Sequence, residues 1–142
     1  MIACVSRMIR QIFKKIRESW LLAFILFSSF FLRVYELAAE SLWVDEVFSI
    51  LTSNLTLKKL LSIAADDVHP PLYYLILNPW LNIFGDSEFS VRFVSVIFGV
   101  LSVFAIYKIG VYLFSKKVGL LAALLLAISE FHIYFSQEAR SY

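Results

Sequence analysis

Two predominantly apolar stretches, residues 20–39 and 91–114, constrain this chain more than any other feature. They run for about 20 and 24 residues, or roughly 30 and 36 Å as helices, enough to cross a hydrocarbon core of about 30 Å. A third stretch, 118–134, has about 17 residues and sits at the lower limit for a span. Composition points the same way: 61% of residues are hydrophobic, against roughly 45–50% apolar in a soluble domain. An ordinary soluble fold is excluded. The expected class is all-α, with multi-pass membrane helices and short amphipathic surface helices in the first extracytoplasmic loop.

The net charge of +2 matters less than its placement. Arg7, Arg10, Lys14, Lys15 and Arg17 crowd the N-terminus directly before the first apolar stretch. Residues 1–18 therefore read as a basic cytoplasmic tail that fixes orientation, not as a nucleic-acid arm. Arg33 and Glu36 interrupt the region where a signal peptide would be cleaved near Ala38-Ala39, so the segment reads as a retained anchor. Arg33, near the outer end, is expected to snorkel to the interface. Cys4 is the one cysteine, which excludes an intramolecular disulfide and a thiolate metal cluster.

Residues 40–90 form the first outer loop. Val44, Val47, Phe48 and Leu51 follow the spacing of one helical face, and Leu57, Leu60, Leu61 and Ala64 repeat it. Two helices on the membrane surface are expected. Asn54-Leu55-Thr56 matches a glycosylation sequon, a pattern frequent by chance. The stretch 71–84 is about 21 Å long as a helix and contains Pro79. Gly85-Asp86-Ser87-Glu88 then forms a turn and helix cap. If 71–84 crossed the membrane, Lys116 and Lys117 would face outward. If it stays in the outer leaflet, they face the cytoplasm, as the charge rule favours, and every polar cluster gathers outside. The expected spans are therefore 20–39, 91–114 and 118–134.

Acidic residues among oily segments are functional-site candidates. Asp45 and Glu46 begin the first surface helix, where a carboxylate can act as a general base or merely favour the helix start. Asp66, Asp67 and His69 offer oxygen and nitrogen donors suited to a divalent metal or a phosphate-bearing ligand, or form a polar loop before Pro70-Pro71. Tyr73 and Tyr74 read as interfacial belt residues. Glu138 and Arg140 lie in the terminal polar motif, where Arg140 can hold a phosphate or anchor a helix end. Arg92 stays equally open, and Glu130 and His132 read as interfacial. No Gly-rich phosphate loop, Cys-x-x-Cys pair, nucleophile elbow or His-Glu-x-x-His helix occurs.

In order, Trp43-Val44-Asp45-Glu46, Asp67-Val68-His69-Pro70-Pro71-Leu72-Tyr73-Tyr74, Gly85-Asp86-Ser87-Glu88-Phe89-Ser90-Val91-Arg92 and Ser136-Gln137-Glu138-Ala139-Arg140-Ser141-Tyr142 make up a series. It resembles the N-terminal part of GT-C membrane glycosyltransferases, nearest to the dolichyl-phosphate-mannose–protein mannosyltransferases and their bacterial and archaeal relatives. The resemblance covers the chain from about Arg33 onward. It implies that residues 19–142 are part of a GT-C transmembrane module, a multi-pass enzyme moving a sugar from a polyprenyl-phosphate donor to an acceptor on the extracytoplasmic face. The acceptor class (protein, glycan or lipid) is left open. By resemblance, Asp45 is the base and Glu46 its companion, and Asp67, His69, Glu138 and Arg140 border the donor phosphate. A divalent metal on Asp67 and His69 is the cofactor it allows. Because such enzymes have many more spans, the chain is expected to be a fragment of that module. The alternative is a non-catalytic small membrane protein, either a remnant or an accessory subunit that binds lipid phosphate.

Overall fold

The computed structural model describes residues 2–56, 58–60, 62 and 71–139, with side chains from residue 18 onward. Among the described residues the main helices are α1 (Ile2–Val34), α2 (Val44–Ser53), α3 (Leu72–Phe84), α4 (Glu88–Leu113), α5 (Lys116–Ala127) and α6 (Glu130–Ser136). No strand occurs among the described residues. The fold is all-helical.

Serine caps set three of the helix starts. The hydroxyls of Ser87, Ser115 and Ser129 accept from the backbone N–H of Ser90, Val118 and His132, at 3.3, 3.4 and 3.5 Å. Each satisfies an N–H that the first helical turn would otherwise leave orphaned. Gly85, at φ 80°, ends α3 and lets the chain turn into α4.

Several expectations change. The first apolar stretch does not stay helical to residue 39: α1 stops at Val34, and Glu36 takes a left-handed φ of 57° in the turn that follows. The backbone of the basic segment is helical and continuous with the first apolar stretch, since α1 starts at Ile2. The third stretch breaks at Ile128-Ser129, where the Ser129 cap starts a new helix; α5 and α6 meet at a 64° bend. Arg33 does not snorkel. It is wholly buried, pointing into the bundle at the α5–α6 break. Tyr74 is buried too, and the Tyr73 hydroxyl bonds Ser95 Oγ at 3.0 Å, so neither is a belt residue. Of the second surface helix, Leu57, Leu61 and Ala64 lie outside the described residues; Leu60, expected on its apolar outer face, is buried.

Two cores divide the bundle along its length. At one end, Leu77 and Leu81 of α3 pack with Val91 and Val94 of α4 and with Ala139. Farther along, Ile25 of α1 meets Val103 of α4 and Ala123 and Ala127 of α5. Lys116 pairs with Glu18 at 3.1 Å, so the α4–α5 turn sits beside the middle of α1. The α3 helix, 13 residues long, packs against α2, where Asn78 Nδ2 donates to the Ser53 carbonyl at 2.6 Å, and against the first part of α4 in the first core. Polarity in α2 is inverted relative to a soluble helix. Glu46, Ser49, Thr52 and Ser53 are buried, while Val44, Val47, Phe48 and Leu51 are exposed.

The α4–α5 hairpin closes on glycine. A Cβ on Gly119 would stand 2.7 Å from the Tyr107 carbonyl oxygen, and one on Gly110 would stand 2.7 Å from the Gly119 Cα. Backbone atoms cannot yield as a side-chain tip can. Gly119→Leu is therefore expected to destabilise the chain by about 1–3 kcal/mol, the usual cost of overpacking. Denaturant titration in detergent micelles measures it, and an unshifted midpoint would contradict the close approach.

Candidate active site

Glu46 ties three separate segments together. Its carboxylate is 1% exposed, and only its partners make that burial tolerable. Oε1 accepts from Arg92 Nε at 2.9 Å and from the Ala139 N–H at 3.0 Å. Oε2 accepts from Arg92 Nη2 at 2.8 Å and from the Trp43 N–H at 3.0 Å. The last of these caps the start of α2. Two parallel bonds from one guanidinium form the fork geometry that suits arginine better than lysine.

Arg92 uses its remaining N–H groups on the turn after α1. It donates to the carbonyls of Leu37, Glu40 and Ser41 at 2.9, 2.8 and 3.2 Å. One ion pair therefore fixes the 37–41 turn, the first turn of α2, the head of α4 and the 137–139 strap. Burial by itself pushes the Glu46 carboxyl up. The Arg92 hydrogen bond, the N–H groups of Ala139 and Trp43, and the Arg92 charge outweigh burial and hold it below its ordinary value of 4.5. Glu46 is thus an ionised, fully engaged group.

Asp45 occupies the same first turn but faces outward. Its side chain is exposed, and its carbonyl accepts from Ser49 Oγ at 3.0 Å. Glu138, half-buried on the strap, lines a pocket of about 620 Å³. The pocket is walled by the end of α1, the 35–43 turn and α6, with Trp43, Arg92, Tyr134 and Gln137 among its lining residues. Glu130 lines it as well, and His132, expected at the interface, is half-buried and bonded to Arg33 Nη2 at 2.7 Å. Asp67, His69 and Arg140 lie outside the described residues. Among the described residues, no three His, Cys, Asp or Glu side chains converge as a cation site requires.

The structure thus brings Glu46, Glu138 and the start of α2 to one end of the bundle. It adds Arg92, which the sequence left open, and the backbone of Ala139, which no sequence signal marks. A family model described as dolichyl-phosphate-mannose-protein mannosyltransferase matches residues 68–139. Asp45 and Glu46 precede the match, yet Glu46 bonds Arg92 and Ala139 inside it. No curated protein and no solved structure matches the chain. The family match spans half of the sequence, and on it the chain belongs to the dolichyl-phosphate-mannose-protein mannosyltransferase family, a glycosyltransferase family.

Proposed function

We propose that the chain is a membrane glycosyltransferase module of GT-C type that moves a sugar from a polyprenyl-phosphate donor to an acceptor hydroxyl on the extracytoplasmic face. The observation that carries this reading is the Glu46–Arg92 tie. It sets the exposed Asp45 carboxylate and the strap leading to Arg140 at the same end of the bundle, with the pocket beside them. Asp45 takes the proton of the acceptor hydroxyl as that oxygen attacks the anomeric carbon. The bond from that carbon to the phosphate oxygen breaks, and polyprenyl phosphate leaves with the electron pair, inverting the configuration. Arg140 stabilises the departing phosphate through charge-assisted hydrogen bonds. Glu46 positions and does not exchange protons. Asp67 and His69 are the donors proposed for a divalent ion, whose chemistry would be charge neutralisation at the phosphate.

A membrane setting with three spans is part of the proposal. Among the described residues, α4 alone is long and apolar enough to cross a bilayer, and α5 with α6 forms a bent pair that meets the same test jointly. Support comes from exposed apolar surfaces that suit a lipid surrounding. Trp20, Phe24, Phe27 and Phe31 of α1 are exposed, as are Phe98, Leu101, Phe104 and Tyr112 of α4. The outward apolar face of α2 suits a helix lying on the bilayer. The Lys116–Glu18 pair supports putting the α4–α5 turn on the cytoplasmic side with the basic segment. In a Cys4→Ser background, Asp86→Cys should react with an impermeant thiol reagent in intact cells, and Lys117→Cys should be protected. The opposite labelling would overturn this orientation.

The function itself is tested with the full chain in proteoliposomes supplied with a labelled polyprenyl-phosphate hexose and a pool of candidate acceptors. Label is expected to leave the donor and release polyprenyl phosphate. Donor binding with no turnover would instead select the non-catalytic lipid-phosphate binder.

A further inference from the structure

The buried guanidinium of Arg33 plays no part in the chemistry above, and its surroundings are unusual. Its partners are carbonyls, hydroxyls and an imidazole. Nη1 donates to the Ser29 carbonyl at 2.9 Å, Ser29 Oγ at 2.6 Å and the Ala127 carbonyl at 3.2 Å. Nη2 donates to the Leu126 carbonyl at 3.4 Å and to His132 Nδ1 at 2.7 Å, and Nε to Ser136 Oγ at 3.3 Å. Leu126 and Ala127 end α5, where carbonyls are short of i+4 partners (that of Leu126 accepts instead from the Ser129 N–H at 3.4 Å) and the helix dipole is negative. A cation there answers both needs. His132 Nδ1 accepts from an arginine, which always donates, so the ring is neutral with its proton on Nε2.

We infer that Arg33 is a positioning residue for the active site: it holds the α5–α6 break and, through α6, sets the strap that carries Glu138 toward Arg140. The inference rests on the transfer reading for its effect on activity, but not for its geometry. From the break onward, links that leave the segment reach Arg33 at the end of α1, Tyr35 just after it, and α2. Gln137 Nε2 donates to the carbonyls of Arg33 and Tyr35 at 3.2 and 2.9 Å, and the Ala139 N–H then reaches Glu46. Arg33 pins the start of the segment 128–139, and the Glu46–Arg92 pair pins its end.

Gly99 makes room for the clamp. A Cβ there would collide with Ser136 Oγ, come within 2.8 Å of Ser136 Cβ and stand 3.1 Å from Arg33 Nε. Only a residue without a side chain lets α4 pass so close. Lysine cannot replace Arg33, because three donors on one nitrogen cannot reach α1, the end of α5, His132 and Ser136 together.

The test uses the full chain in proteoliposomes with Arg33→Lys, which keeps the charge and loses the fork. Amides of 130–139 are expected to exchange hydrogen at least about tenfold faster, while those of 91–113 keep their wild-type protection. If Arg33→Lys does not fold, Gly99→Ala, which keeps the arginine but crowds both Ser136 and Arg33 Nε, gives the same readout. Unchanged exchange in 130–139 overturns the inference. With a polyprenyl-phosphate hexose, the donor KM should rise about tenfold with the acceptor KM unchanged. Equal changes in both, or full activity with lysine, would reject positioning of the donor side. A wild-type chain that transfers no sugar rejects the transfer reading and leaves the exchange result to decide the clamp.

Discussion

Arg92→Ala is expected to cost about 3–5 kcal/mol of folding stability, the cost of stripping one partner from a buried ion pair. Glu46 would stay buried with a full charge and keep only the N–H groups of Ala139 and Trp43. The carbonyls of Leu37, Glu40 and Ser41 would lose their donor in the same step. Glu46→Ala should be comparably harmful, because it strands the Arg92 charge. The double variant should be much less harmful than the sum of the two, since neither charge is then left alone. Denaturant unfolding in micelles, followed by tryptophan fluorescence, gives all three values. Simple additivity would show that the pair does not hold the site together.

The same pair makes stability depend on acid. The folded Glu46 pKa lies below its ordinary value of 4.5, so the unfolded state binds protons more readily. The stabilisation is complete above that ordinary value and is lost as pH falls below it toward the folded value. Glu46→Gln should flatten this loss over that window. An unaltered acid profile in the variant would assign the loss to other carboxyls.

Much of the helical layout was legible in the sequence because it is written locally. The apolar spacing from Val44 to Leu51 and the Gly85-to-Glu88 turn each announce themselves within a few residues, and α2 and α4 begin where those signals stand. The break at Ser129 carries a local signal too: a serine followed by an acid inside an apolar run is a helix-start signature, and here it divides the expected 118–134 span. The site was harder. Glu46 and Arg92 are 46 positions apart, and nothing local shows that a carboxylate on a surface helix turns inward. The polar face of α2 is the buried one, the reverse of the soluble rule, and in the proposed setting lipid would solvate its apolar face. Arg33 misled for a related reason. Snorkelling is the default for a long cation near a helix end, but the under-satisfied carbonyls of Leu126 and Ala127, at the end of a broken neighbouring helix, made burial possible. Those carbonyls exist only because α5 stops at Ala127.

Asp45→Asn is the larger expected effect on chemistry. Asparagine matches the shape of aspartate and occupies the same exposed position in the first turn of α2, so the Glu46–Arg92 tie beside it should persist. What it lacks is basicity. Removing a positioned general base lowers rates by about 10²–10⁴-fold, while donor affinity, which relies on the phosphate side of the site, should stay near wild type. The readout that matters most is single-turnover transfer from a labelled polyprenyl-phosphate hexose by the wild-type chain and by Asp45→Asn, each saturated with donor and checked for equal unfolding midpoints. The account predicts release of polyprenyl phosphate by the wild type and a loss in the variant within that range, with donor binding retained. Wild-type rates in Asp45→Asn, or a loss that tracks donor binding alone, would contradict the assignment of Asp45 as the base.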